Sequence, residues 1–200
     1  MDLLDNWLFR SGFGLSGFGL FGMMVWGLYL FPLAYLVLRW RAYREQAPAD
    51  PQLGIKVVLY YFRFLTHQLL LIGLASAAIG VLFSGERGPI FRIAAGLIVG
   101  GGSLYAGCVA ALYQRTNAAQ FPAVGRFFTG AGALVTGLVA MCVWIGFFLA
   151  LFSPGRAGEV VKILVALMFV YAPAAVLLGR SLLQYSLAAP AAPPPAKPLE

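Results

Sequence analysis

Carboxylates and imidazoles are scarce in this chain. Its 200 residues hold seven Asp and Glu, one His and two Cys, and no Asp, Glu, Lys or Arg falls in the middle of a long apolar run. That excludes chemistry built on buried titratable groups: a carboxylate proton relay, a di-metal hydrolase, and an intramembrane protease with a metal-binding His/Glu pair all lack their parts. The one histidine, His67, cannot supply both ligands of a bis-imidazole haem. Cys108 and Cys142 lie deep in apolar runs with no CxxC spacing, which reads as two small buried hydrophobes rather than a disulfide or metal site. Neither Ser76 nor Ser103 has a histidine and a carboxylate in reach, so a serine hydrolase is unsupported. The expectation is a protein without catalytic residues, metal or cofactor.

What the chain has in quantity is apolar surface. Hydrophobic residues make up 61% and charged residues 10%, with a mean hydropathy of +0.85, against about half and about a quarter in ordinary globular domains. The surplus has to face lipid or other subunits. Charge-free runs predict an all-α integral membrane protein, a bundle of five transmembrane helices with spans about 12–38, 64–84, 93–114, 127–152 and 163–180. Ahead of them, segment 1–10 sets Leu3, Leu4, Trp7 and Leu8 against Asp2, Asp5 and Asn6, the pattern of an interfacial amphipathic helix. Because that segment is acidic rather than basic, the first span is expected to stay as an anchor. Pro32 should bend it, and Gly12, Ser16 and Gly19 give it a small-residue face. Residues 187–200, rich in Pro and Ala, read as a flexible tail.

The formal net charge is +7. The cations cap apolar runs instead of lining one polar face, so the expected partner is the lipid bilayer and not nucleic acid. With five spans, Arg39, Arg41, Arg44, Lys56, Arg63, Arg115, Arg126, Arg180 and Lys197 fall on one side, nine of the fourteen Lys and Arg. The positive-inside rule then places the N-terminus outside and the C-terminus in the cytoplasm. The Ala/Gly/Arg-rich usage suits a bacterial inner membrane.

The second half of the chain echoes the first. Arg63-Phe-Leu-Thr66 returns as Arg126-Phe-Phe-Thr129, Leu82-Phe-Ser84 as Leu151-Phe-Ser153, and Tyr105-Ala106 as Tyr171-Ala172, before Arg115 and Arg180 close the two units. This suggests one helix followed by a parallel duplication of a two-helix hairpin. Counting inward from Arg115 and Arg180 puts Tyr105 and Tyr171 near the bilayer midplane, where Pro173 weakens the helix. Tyr105, Tyr171, Ser103, Thr136 and Pro173 are therefore the candidate substrate-binding residues.

Small residues recur at helical spacing, at Gly73 and Gly80, at Gly96, Gly100 and Gly107, and at Gly130 and Gly137. These are the candidate helix-packing positions, within the bundle or between copies. Arg39, Arg41 and Arg44 interleave with Trp40 and Tyr43, and Arg63 stands one turn from His67. Those five polar residues are the candidates for contact with lipid headgroups.

The preferred functional reading is a non-enzymatic subunit or scaffold of a membrane complex, a homo-oligomer or an assembly with other membrane subunits. The runner-up is a small transporter or channel for an uncharged or apolar solute, with a midplane site between the two hairpins. A third reading is a lipid-handling enzyme using His67 and Arg63.

Overall fold

The computed structural model describes residues 32–44, 50–82, 87–117, 122–152 and 157–187. The interfacial segment 1–10, the Gly12–Ser16–Gly19 face, most of the first expected span and the tail beyond residue 187 lie outside the described residues. Every regular element within them is an α-helix: α1 at 32–44, α2 at Leu53–Leu82, α3 at Gly88–Arg115, α4 at Ala123–Phe152 and α5 at Ala157–Leu187. The four from α2 onward are long and apolar enough to cross a membrane. The described helix α1 is short. It continues past Leu38 through all three arginines of the basic cluster, and Pro32 is its first described residue.

Local chemistry explains the boundaries. Pro89 sits in the first turn of α3, where its missing N–H costs nothing. The helix ends at Arg115, whose charge suits the negative end of the helix dipole, and both the N–H and the Oγ1 of Thr116 donate to the Leu112 carbonyl. At the start of α2, one Asp50 carboxylate oxygen accepts the Gln52 N–H at 2.9 Å and the other accepts Lys56 Nζ at 2.6 Å.

That second bond shows why α2 begins at Leu53 and not near residue 64. Lys56 looks like a charge of the connecting segment, yet its side chain is 1% exposed and that of Asp50 4%. Paired in this way, the ammonium is taken into the fold, and the apolar face of Leu53, Val57, Tyr60, Tyr61 and Phe64 starts three turns earlier. Gln52 Oε1 also accepts the Asn117 N–H, tying the start of α2 to the end of α3.

Contacts at glycine give the directions of the helices. Gly73 meets Leu97 and Ile98, Gly80 meets Ile90 and Phe91, and Gly101 meets Leu69 and Leu70, so α2 and α3 form an antiparallel hairpin. Gly130 faces Leu182, Gly132 faces Leu178 and Gly146 faces Leu164, which makes α4 and α5 a second one. Tyr60 lies on Gly125, and Phe64 on Gly132, so α2 and α4 run parallel, as a parallel repeat requires. The echoed arginines are not at matching places, however. Arg63 lies about three turns into α2, while Arg126 is in the first turn of α4.

The hairpins meet along α2. Its inner face contributes Leu71 and Ala75 to a buried cluster with Tyr171 and Ala174 of α5, flanked by Val139 and Ala140 of α4. Near its start, Leu53 and Val57 pack with Ala34 and Leu38 of α1 and with Val124 and Phe128 of α4. Of the four long helices, α3 packs on α2 and makes no comparable contact with α4 or α5.

Candidate functional site: a basic, aromatic cleft between the hairpins

Hydroxyl groups inside the long helices are turned back on their own backbone. Thr66 donates to the Phe62 carbonyl, Ser76 to Ile72, Ser103 to Gly100, Thr136 to Gly132 and Ser181 to Leu177, at 2.7–3.0 Å. A hydroxyl bonded to the carbonyl one turn earlier has met its need for a partner in a dry setting, and nothing activates it as a nucleophile. Among the described residues, no group of three His, Cys, Asp or Glu could hold a metal ion.

The exception to this dryness is a cleft of about 70 Å³ lined by Tyr60, Arg63, Phe64 and His67 of α2, Tyr105 of α3, Phe128, Thr129 and Gly132 of α4, and Leu178 of α5. Three features place its polar groups. On α2, Tyr60, Arg63, Phe64 and His67 follow one another at spacings of three, one and three, which puts them on one helical face. Glycine opens the wall on α4, because a Cβ at Gly132 would meet Phe64 and Leu178. Opposite, the hairpin register brings Tyr105 alongside.

Arg63 is the charge of this cleft. Its guanidinium carbon lies 5.9 Å from the centre of the Tyr60 ring and 5.8 Å from that of Tyr105, and cation–π attraction from two faces holds it there. The His67 ring is 6.0 Å from the Tyr105 ring, tilted by 48°. Tyr60 stacks in turn on Phe128, at 6.4 Å and 7° between planes. Among the described residues no carboxylate lies within ion-pair distance of Arg63; the carboxylates of Asp50 and Glu159 are engaged by Lys56 and Lys162.

One turn further along the same faces stand two buried polar residues. Gln68 follows Phe64 and is 2% exposed, and Thr136 follows Gly132 and is fully buried. Among the described residues Gln68 Nε2 has no hydrogen-bond partner, an omission that costs about 1–3 kcal/mol in a dry interior.

The five residues expected around a midplane substrate site are dispersed. Tyr105 lines the cleft beside Arg63, whereas Tyr171 is buried against Leu71, Ala75 and Ala174. Ser103 and Pro173 are exposed on their helices. Thr136 is enclosed within the bundle. Of the candidate headgroup contacts, Arg63 and His67 share the cleft, while Arg39, Arg41 and Arg44 stand exposed on α1, with Arg44 stacked 5.6 Å from the Trp40 ring.

The glycines divide in a similar way. A Cβ at Gly73 would lie 2.9 Å from Leu97 and 3.0 Å from the Ile98 backbone nitrogen, and one at Gly80 would lie 3.2 Å from Ile90 and Phe91. At Gly96, Gly100, Gly107 and Gly137 it would meet nothing within 4 Å, and at Gly130 only Leu182 at 3.8 Å. The close approach on α3 is made by Gly101 and on α4 by Gly125, while Gly132 is in ordinary contact with Leu178 and Phe64. Reading for GxxxG spacing had passed over all three. Tyr60, Thr129 and Phe128 were also missed as cleft residues; the aromatic-then-arginine run Tyr60-Tyr61-Phe62-Arg63 was the available signal. No family model matches this chain, nor does any curated protein or solved structure.

Proposed function

We propose that the chain is a non-enzymatic subunit or scaffold of a membrane complex, crossing the bilayer five times and assembling through the outer face of α3. The observation that carries this reading is the direction in which that face points. Gly96, Gly100 and Gly107 present backbone with open space around it, Ser103 is exposed on the same stripe, and Val99 and Leu104 beside it are 70% and 59% exposed. Lipid tails are as apolar as leucine, so helices in a bilayer associate by close backbone approach over such small residues.

The fifth crossing is supported by the charge-free run from Ser11 to Leu38, ending in the basic turn of α1. With it, the N-terminus lies outside and the C-terminus in the cytoplasm, in a membrane that composition suggests is a bacterial inner membrane.

The test is Gly100→Leu, alone and with Gly96→Leu, in protein extracted in mild detergent and sized on native gels. Because a side chain at either position meets nothing within its own protomer, the fold should survive while the assembly shifts to smaller species. The Tyr105→Phe variant should migrate as the wild type. An unchanged gel profile for the double leucine variant removes the proposal.

A further inference from the structure

We propose that the cleft around Arg63 is a binding site for a phosphate ester, the headgroup of an anionic phospholipid or a soluble phosphate of similar size. Its cation has aromatic neighbours but no carboxylate among the described residues, so the site carries net positive charge that a ligand can neutralise. Arg63, His67, Tyr105 and Thr129 offer donors from three helices to one small volume. A planar guanidinium binds phosphate oxygens in pairs, with stronger bonds than neutral donors make. About 70 Å³ is the room of two or three water molecules at about 30 Å³ each. That is room for a group of phosphate size. Phe64, Phe128, Gly132 and Leu178 supply apolar walls next to the donors, as an acyl ester needs.

Depth supports the same class of ligand. Phe64 and Leu178 both lie within 4 Å of where a Cβ on Gly132 would stand, which sets a common level on three helices. From there to Leu82 and to Phe152, the far ends of α2 and α4, is about 27 and about 30 Å at 1.5 Å per residue. Those lengths match the roughly 30 Å hydrocarbon core, so a bilayer drawn to the far ends puts its near edge, the phosphate layer, at the cleft, and with it Tyr105, which counting inward from Arg115 sets near the midplane instead. Arg180 stands near the same level but exposed on α5.

The experiment is native mass spectrometry of the full-length protein released from mild detergent, titrated with phosphatidylglycerol, with diacylglycerol of the same chains, and with inorganic phosphate as competitor. The wild type should retain phosphatidylglycerol in preference to diacylglycerol. Arg63→Gln should lower retention about tenfold, in line with loss of a charge-assisted pair of bonds. Arg63→Lys should recover part of it, and Arg180→Gln, which removes the same charge from the exposed rim, should change it less than twofold. Displacement by millimolar inorganic phosphate would assign the site to a soluble phosphate, whereas resistance to it would assign a lipid. Equal retention of phosphatidylglycerol and diacylglycerol by the wild type overturns the proposal, and needs no variant to fold. Equal losses in the Arg63 and Arg180 variants overturn it as well, since they reveal a general attraction to the basic rim.

Discussion

Single residues in this protein are governed by what happens to charge in a dry interior. The Asp50–Lys56 pair, 2.6 Å long and with both side chains almost fully enclosed, holds the start of α2 in place. Breaking a buried ion pair from one side costs about 3–5 kcal/mol. Asp50→Asn should therefore lower thermal stability in detergent markedly, whereas the exposed Glu159–Lys162 pair, 50% and 43% accessible, should tolerate Glu159→Gln with less than about 1 kcal/mol of change. Thermal melts of the two variants side by side check this. Lys56 also shows where reading along the chain falls short. It counts there as one more cation of the cytoplasmic side, because nothing in a linear pattern says that a carboxylate six residues earlier folds back onto it. Its neutralisation leaves the charge bias pointing the same way.

At the scale of helices, the glycines separate contact from exposure. Gly73→Ala would drive a methyl group to 3.0 Å from the Ile98 backbone nitrogen, which cannot swing away as a flexible side chain can. The α2–α3 hairpin should lose about 1–3 kcal/mol, the usual cost of overfilling a packed seam. Gly96→Ala points into open space and should leave the monomer's melting temperature within error or raise it. Comparing those two melts isolates the seam from the outer face.

The existence of the four long helices was plain in the sequence, since charge-free length is a direct requirement of the bilayer. Their ends were not, because a helix continues past the membrane wherever its backbone and side chains find partners in the protein. The relation between glycines suffered from the same gap. Periodicity reveals that Gly96, Gly100 and Gly107 share a face, but only the rotation of α3 about its axis decides whether that face or the one through Gly101 meets α2. Rotation follows from packing over the whole seam. Likewise Tyr105 and Tyr171 echo each other in the chain, yet one borders a charged cleft and the other a dry cluster, because α3 leans on one helix and α5 on two.

For the whole molecule, the two hairpins and α1 predict a definite sidedness. Single cysteines placed at Arg87 and Gly158, in a background with Cys108→Ala and Cys142→Ala, should react with a membrane-impermeant maleimide added outside intact cells. Single cysteines at Asn117 and Gln184 should react only after the cells are opened. Labelling of all four from one side would contradict a hairpin that crosses the membrane and returns. The cleft belongs to this scale too: it needs side chains from four helices, and a linear reading could name Arg63 and His67 without knowing which residues would stand opposite them.

Because α2 is where the two hairpins meet, synthesis from the N-terminus leaves it waiting. By the time the ribosome passes Asn117, α3 already has its seam, but the flank of α2 that carries Gln68, Leu71 and Ala75 still looks onto acyl chains. Only when α4 and α5 follow is that flank covered, and the phosphate-sized recess comes into being at the same moment. The halves of the protein thus become interdependent late, and a ligand held in the recess would report that the second hairpin has arrived.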